Sequence, residues 1–391
     1  MKKVGYIKDY YPEQRCIIKK IGGVEYKFCN ERFARTRIIK KVGRIILRQK
    51  NPGWDWLVYD PIRKPKVDLI HTFNSVCMLR GIPWAVTFES TVPRTNQTVG
   101  RPWEKNGEPF IPDIFTRRSL HLLTDSSCKA CIALSDSARR IQDNMLNQMI
   151  GDPAFARIIQ EKTVVIHPPQ DALVDACEIK KKFSTISSCV EFIFVGRNFF
   201  CKGGPMLIEA MEKFSEKVNF HLTVVSNLDD KLFSTGEERK KWANILEKTP
   251  WITWFKSLPN EKVLHLCKKA HIGCLPTFKD TYGYSVLEMQ ACGCPVITTN
   301  VRALPEINNK NCGWIVPLEI DKIGGEVILY SDKDEEARRT ELLLGLERCL
   351  EEIFGNLETV EPKAVHALGR IKKGHSPEEY AKKLSMIYWG K

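Results

Sequence analysis

Short apolar runs that end in polar or glycine-containing turns, each followed by a helical pattern, recur along most of this chain. The first series is Val4 to Ile7, Val67 to Asn74 (VDLIHTFN), Ile82 to Ser90 (IPWAVTFES), CIALSDS up to Ser137, and Thr163 to Asp171 (TVVIHPPQD). Pro168-Pro169 and the polar stretch behind it read as a hinge. A second series runs through VEFIFVGR, NFHLTVVS, WITWFKSLP, HIGCLP, CPVITTN and CGWIVP. Helical segments lie between the runs: Ser135 to Ile150, with Ser135 or Asp136 as N-cap, Gly204 to Phe214, and NEKVLHLCKKA. Strands alternating with helices imply a parallel sheet whose ligands sit beyond the strands' carboxyl ends. Two such series predict an α/β protein of two doubly wound domains, 1–170 and 171–375. At 391 residues, 43% of them hydrophobic, the chain is long enough for two cores. The last segment, 376–391, has Ser376 as N-cap and Pro377 at the first helical position, and is expected to pack back on the N-terminal domain.

The net charge of +13 fits anionic partners: nucleotides, anionic lipid or nucleic acid. No zinc-finger, helix-turn-helix or RNA-binding signature is present, so nucleic acid is not expected. One block from Arg32 to Lys50 is basic and contains no acid. There Ile38, Val42, Ile45 and Ile46 share one helical face, and Arg37, Lys41, Arg44 and Arg48 fall on another. Two readings fit the block: a surface helix with its apolar stripe in the core, or a helix lying on an anionic membrane surface. On such a surface each basic residue contributes roughly 1 kcal/mol. Fourteen scattered cysteines suit a reducing compartment, where Cys acts as a small hydrophobe. The one CxxC, Cys128 to Cys131, has no second pair or histidine cluster to complete a zinc set and reads as core packing. The N-terminus lacks an apolar signal region, and no run approaches the ~20 apolar residues that span a bilayer. A cytoplasmic protein is expected, soluble or peripheral on the cytoplasmic face of the membrane.

Two stretches carry chemistry. Cys274 to Ile307 reads as strand, polar loop, helix N-terminus, helix and strand, with carboxylates at Asp280 and Glu288. A helix N-terminus attracts phosphate, and carboxylates beside it accept hydrogen bonds from sugar hydroxyls. In Phe194 to Gly204 (FVGRNFFCKGG) a strand ends at Gly196, and Arg197 and Lys202 follow in one short loop. Two fixed cations beside a glycine-rich turn suit a diphosphate. Cys201 stands where a P-loop would require its second glycine, so the loop is not one.

These residues, GRNFFCKGG followed by PTFKDTYGYSVLEMQACGCPVI and ALPEI, resemble the large family of retaining GT-B glycosyltransferases related to glycogen and sucrose synthases and bacterial mannosyltransferases (glycosyl transferases group 1). The resemblance is specific over roughly 160–320 and architectural before it. It implies two Rossmann-like domains facing across a cleft, a nucleotide diphosphate sugar as donor, and a hydroxyl acceptor on a glycan or lipid-linked glycan. It also implies retention of configuration, no cofactor and no essential metal. No DxD triplet or histidine cluster supplies hard-cation ligands of the usual kind. The family's two glutamates, separated by seven residues, correspond here to Asp280 and Glu288, the first shortened by one methylene. The resemblance gives Glu288 the ribose hydroxyls, Asp280 the donor sugar, and Arg197 and Lys202 the pyrophosphate. Gly196, Gly283 and the backbone N–H groups around Tyr284, Ser285 and Val286 complete the phosphate cradle. The base is expected near Phe255. The lesser reading of Asp280 is a turn-former or N-cap, since Asp-Thr before a glycine is ordinary turn chemistry.

The N-terminal half departs from the family pattern. Where many members have a histidine after an inner strand, this chain has Glu89, read as an acceptor or sugar contact or as a buried structural acid. Arg94 is its ion-pair partner or an acceptor-phosphate ligand. His71 either lines the cleft as an acceptor contact or is a satisfied core histidine. The early glycine-rich turn is unclear, Gly22-Gly23 being its one candidate. The expected catalytic residues are Asp280, Arg197, Lys202 and Glu89. Polysaccharide or lipid-linked glycan assembly is the expected context; the alternatives are a catalytically idle GT-B subunit and, less favoured, a basic nucleic-acid-binding protein.

Overall fold

The structure is a computed structural model that describes residues 1–29, 42, 58–95, 98, 111–149, 153–329 and 331–390. All of the basic block except Val42 lies outside the described residues. The chain divides into two units, Met1–Pro169 with Pro377–Lys391, and Gln170–Ser376.

The first unit contains β1 (Lys2–Tyr6), β2 (Val24–Phe28), β3 (Val58–Tyr59), β4 (Leu69–Phe73), β5 (Val76–Cys77), β6 (Trp84–Phe88), β7 (Cys128–Ala133) and β8 (Thr163–Val165). Six of these form one parallel sheet in the order β2-β1-β4-β6-β7-β8, and β3 pairs with β5 alone. β4 and β6 are buried along their whole length, as parallel strands covered on both faces must be, and so read as unbroken apolar runs. β2 is a finding that the apolar runs do not announce. Its sequence VEYKF is half-exposed because it is an edge strand with one partner, and Gly22-Gly23 form the turn that enters it. The core gathers Ile70, Trp84 and Phe88 with Leu120, Leu123 and Leu146 from the helices Ile114–Thr124 and Asp136–Gln148. Ser135 caps the second helix, its Oγ accepting from Ala138 N at 3.0 Å. A register shift opposite Trp84 and Ala85 leaves Lys129 unpaired; Cys128 and Cys131 are both buried.

The second unit contains β9 (Val190–Val195), β10 (Phe220–Val225), β11 (Ile252–Phe255), β12 (Ile272–Leu275), β13 (Val296–Thr299) and β14 (Gly313–Val316), all parallel in the order β11-β10-β9-β12-β13-β14. The long helix Asp332–Gly355 lies against β14 and the helix Gly204–Glu212. Gly345 permits that approach, since a Cβ there would sit 2.2 Å from Val316 Cγ1. Phe354 from this helix stacks on Phe220 at 5.8 Å and meets Phe192 edge-on at 5.9 Å. After Ser376 the chain returns to the first unit as the helix Pro377–Trp389, where Tyr380 Oη donates to Cys16 O at 2.7 Å. No helix among the described residues is long and apolar enough to cross a membrane.

Candidate functional site

From β9 the chain of the second unit winds outward through β10 to β11, returns to β12 on the other side of β9, and winds outward again. The point where strand order reverses, at the carboxyl ends of β9 and β12, is where an open α/β sheet leaves a crevice for a ligand. Both sequence-predicted loops emerge there, Gly196–Gly204 from β9 and Pro276–Gly283 from β12.

The two loops are tied by backbone and side chain. Phe278 N donates to Cys201 O at 3.0 Å, and Thr277 Oγ1 donates to Cys201 O at 3.3 Å. Gly203, at φ 77°, allows this approach: a Cβ there would lie 2.0 Å from Pro276 O. Lys202 crosses the seam, its Nζ donating to Lys279 O at 2.6 Å and to Asp280 Oδ2 at 2.7 Å. Gly196 leaves room for that side chain, with Lys202 Cγ 3.0 Å from where its Cβ would be. Asp280 Oδ1 accepts from Tyr282 N at 3.1 Å and from Gly283 N at 2.7 Å. A carboxylate offers about four acceptor positions, so Asp280 keeps roughly one for a ligand hydroxyl. The turn-former reading and the ligand reading of Asp280 are thus compatible in one side chain. Arg197 is exposed and makes no ion pair among the described residues.

Gly283, at φ 91° and buried, opens the helix Tyr284–Ala291. Val286 N donates to Gly283 O at 2.9 Å, so this one of the three expected cradle N–H groups is already engaged. Tyr284 and Ser285 stand in the first turn of that helix. Glu288 is buried one turn on, its Oε1 accepting from Asn260 Nδ2 at 3.3 Å. Asn260 starts the helix that follows β11, and half-buried Phe255 ends that strand. Asn260 carries no motif; the asparagine after Pro259 at a strand-to-helix turn is the only sequence signal for it.

In the first unit Glu89 follows β6 directly. Its Oε1 accepts from Arg94 Nη1 at 2.9 Å and from Asn74 Nδ2 at 3.2 Å, and its N–H donates to Asn74 Oδ1 at 3.3 Å. Arg94 is therefore its ion-pair partner, with both side chains partly exposed. Asn74, at φ 55° just past the end of β4, carries no motif that marks it in the sequence. His71 lies within β4, not beyond it, and is fully buried. Its Nδ1 meets Tyr388 Oη at 2.5 Å and its Nε2 meets Thr87 Oγ1 at 2.7 Å. Burial pushes its pKa down to about 3, so the ring is neutral and both nitrogens are occupied within the unit. Of the two readings of His71, the satisfied core histidine describes its surroundings.

Residues 177–341 match the model of the family described as Glycosyl transferases group 1. O-antigen chain mannosyltransferase B of Escherichia coli is 30% identical over 110 residues, 28% of this chain and 28% of that protein. The chain spans half or less of the length of the curated relatives it matches. Among solved structures, sucrose-phosphate synthase of Thermosynechococcus elongatus matches 99% of this chain and 98% of that one, with a TM-score of 0.59 at 13% identity. HepE of Anabaena, solved in complex with UDP-glucose, matches 100% of both chains with a TM-score of 0.58 at 12% identity. The protein has the GT-B fold, and the part of its second unit from residue 177 to 341 is similar to the Glycosyl transferases group 1 family.

Proposed function

We propose that the protein is a retaining glycosyltransferase that moves a sugar from a nucleoside diphosphate sugar to a hydroxyl of a glycan or lipid-linked glycan. The observation that carries this reading is the Lys202 ammonium, held at the switch point by Asp280 and the Lys279 carbonyl beside an exposed Arg197. Lys202 and Arg197 take the diphosphate, and Glu288, steadied by Asn260, takes the ribose hydroxyls. Phe255 flanks the base. As the bond from the anomeric carbon to the diphosphate oxygen breaks, charge accumulates on that oxygen, where preorganised cations lower the barrier. The acceptor oxygen bonds to the anomeric carbon on the same face, and its proton passes to the departing diphosphate. Glu89 and Arg94, at the carboxyl end of the first sheet, are the proposed acceptor contacts. The likeness of the donor loops to retaining enzymes supports retention of configuration; the anomeric signal of the product by NMR reads it directly.

Thermal stabilisation by a panel of nucleoside diphosphate sugars, followed by assay of their slow hydrolysis, tests the donor site. Stabilisation and hydrolysis by at least one donor are expected, and both should vanish in Lys202→Ala. A protein indifferent to the whole panel would retire the reading. The basic block supports an anionic membrane surface as the place of action. Neutralising Arg37, Lys41, Arg44 and Arg48 should then weaken sedimentation with anionic vesicles, and unchanged sedimentation would remove that part.

A further inference from the structure

The amino ends of β9, β10 and β11, opposite the donor loops, border an open surface cleft of about 620 Å³. That volume lies inside the ≈ 300–1,000 Å³ range of small-molecule sites. Its walls are the turns that enter the three strands, all within the second unit. Trp251 is half-buried there, its ring fixed at 5.1 Å and 65° against buried Phe220. A rigid, partly exposed indole is thereby offered to the cleft.

The polar lining is fixed in the same way. Asn219 Nδ2 donates to Ser188 O at 2.6 Å, which sets the amide plane and leaves Oδ1 to accept. Ser215 Oγ donates to Glu212 O at 2.8 Å and keeps its lone pairs. Glu216 and Lys217 are exposed, opposite in charge, and form no ion pair among the described residues. His221 has both ring nitrogens taken, by Glu191 at 3.2 Å and Thr253 at 2.9 Å, and serves as wall.

The combination selects a ligand class. An anion requires an excess of positive charge, and Glu216 cancels Lys217. An apolar ligand would cover the amide and carboxylate without pairing them, which costs free energy. A neutral sugar presents an apolar C–H face to an indole and a rim of hydroxyls to a carboxylate, an amide and an ammonium. We propose that this cleft is a binding site for a neutral oligosaccharide, separate from the donor loops. Sugar binding at this cleft needs no transfer chemistry.

Calorimetric titration of the full chain with maltohexaose, mannohexaose and cellohexaose tests it, with tripolyphosphate as the anionic comparison. At least one hexasaccharide should bind saturably. Trp251→Ala and Glu216→Ala should each weaken that binding tenfold or more. Glu216 is exposed, so its variant keeps the wild-type thermal midpoint and remains informative where Trp251→Ala loses packing against Phe220. Binding by none of the three sugars, equal binding by the Glu216 variant, or displacement of the sugar by tripolyphosphate overturns the site. Nucleotide-sugar hydrolysis is scored on the same preparations. A protein that binds hexasaccharide but hydrolyses no donor keeps this site and loses the transferase reading, and the reverse result loses this site alone.

Discussion

Lys202 and Asp280 form a pair whose side chains are 15% and 18% exposed, close enough to water to open for a ligand and dry enough to matter. On the proposed function, a diphosphate arriving there would compete with Asp280 for the ammonium. Lys202→Ala should lower transfer by about 10²-fold or more, the scale of one lost preorganised donor. The loops should stay joined through Phe278 N and Cys201 O, so the thermal midpoint should barely move. Near-normal turnover would end the phosphate assignment. Asp280→Asn keeps an oxygen for Tyr282 and Gly283 N–H and removes the charge. Its loss should fall on turnover far more than on nucleoside diphosphate affinity, and equal losses in both would take Asp280 away from the sugar. Glu288→Gln should do the opposite, weakening the nucleoside diphosphate by ~1.5–3 kcal/mol, the usual worth of hydrogen bonds to a charged group. A Kd unchanged by calorimetry would place the ribose elsewhere.

Among the elements, the β9 and β12 loops depend on one backbone position more than on any side chain. Gly203 is left-handed and pressed against Pro276 O, so Gly203→Ala meets both the cost of φ > 0 for an L-residue, ~1–2 kcal/mol, and a displaced loop. A fall of roughly 5 °C or more in the midpoint is expected for a domain of this size, with donor stabilisation lost. An unchanged midpoint would mean that the loops do not need that contact. Much of this level was legible in the sequence. Buried parallel strands such as WAVTF and VITT must be apolar on both faces, so their runs stand out, and Arg197, Lys202, Asp280 and Glu288 follow runs of that kind. VEYKF was not legible, because an edge strand has one partner and no need of a continuous apolar run. Strand order was not legible either, and with it went the contact of Asn260 with Glu288, which joins the helix after β11 to the helix after β12. Asn74 was hidden for the same reason, its tie to Glu89 arising from the pairing of β4 with β6.

Across the whole molecule, the chain enters the second unit after Pro169 and leaves it at Ser376, so its last helix completes the core of the first unit. His71 is the joint: Tyr388 from that helix and Thr87 from β6 hold its two nitrogens. Its folded pKa, pushed down by burial to about 3, lies below the ~6.5 of an exposed imidazole. The folded state therefore binds fewer protons than the unfolded one between those values. The stabilisation from a neutral His71 is complete above about pH 6.5 and is lost as pH falls toward 3, at up to ~1.4 kcal/mol per pH unit. His71→Gln cannot titrate, so its first unit should lose stability less steeply than wild type between pH 6.5 and 4.5, whatever the substitution costs at neutral pH. Tyr388→Phe should cost ~1–3 kcal/mol by leaving a buried ring nitrogen unpaired. Hydrogen exchange of β4 and β6, compared with that of β9 and β12, separates the two units. Protection lost in the first pair alone is the expected result. The same pH slope in His71→Gln as in wild type would show that the ring takes up its proton without opening the joint.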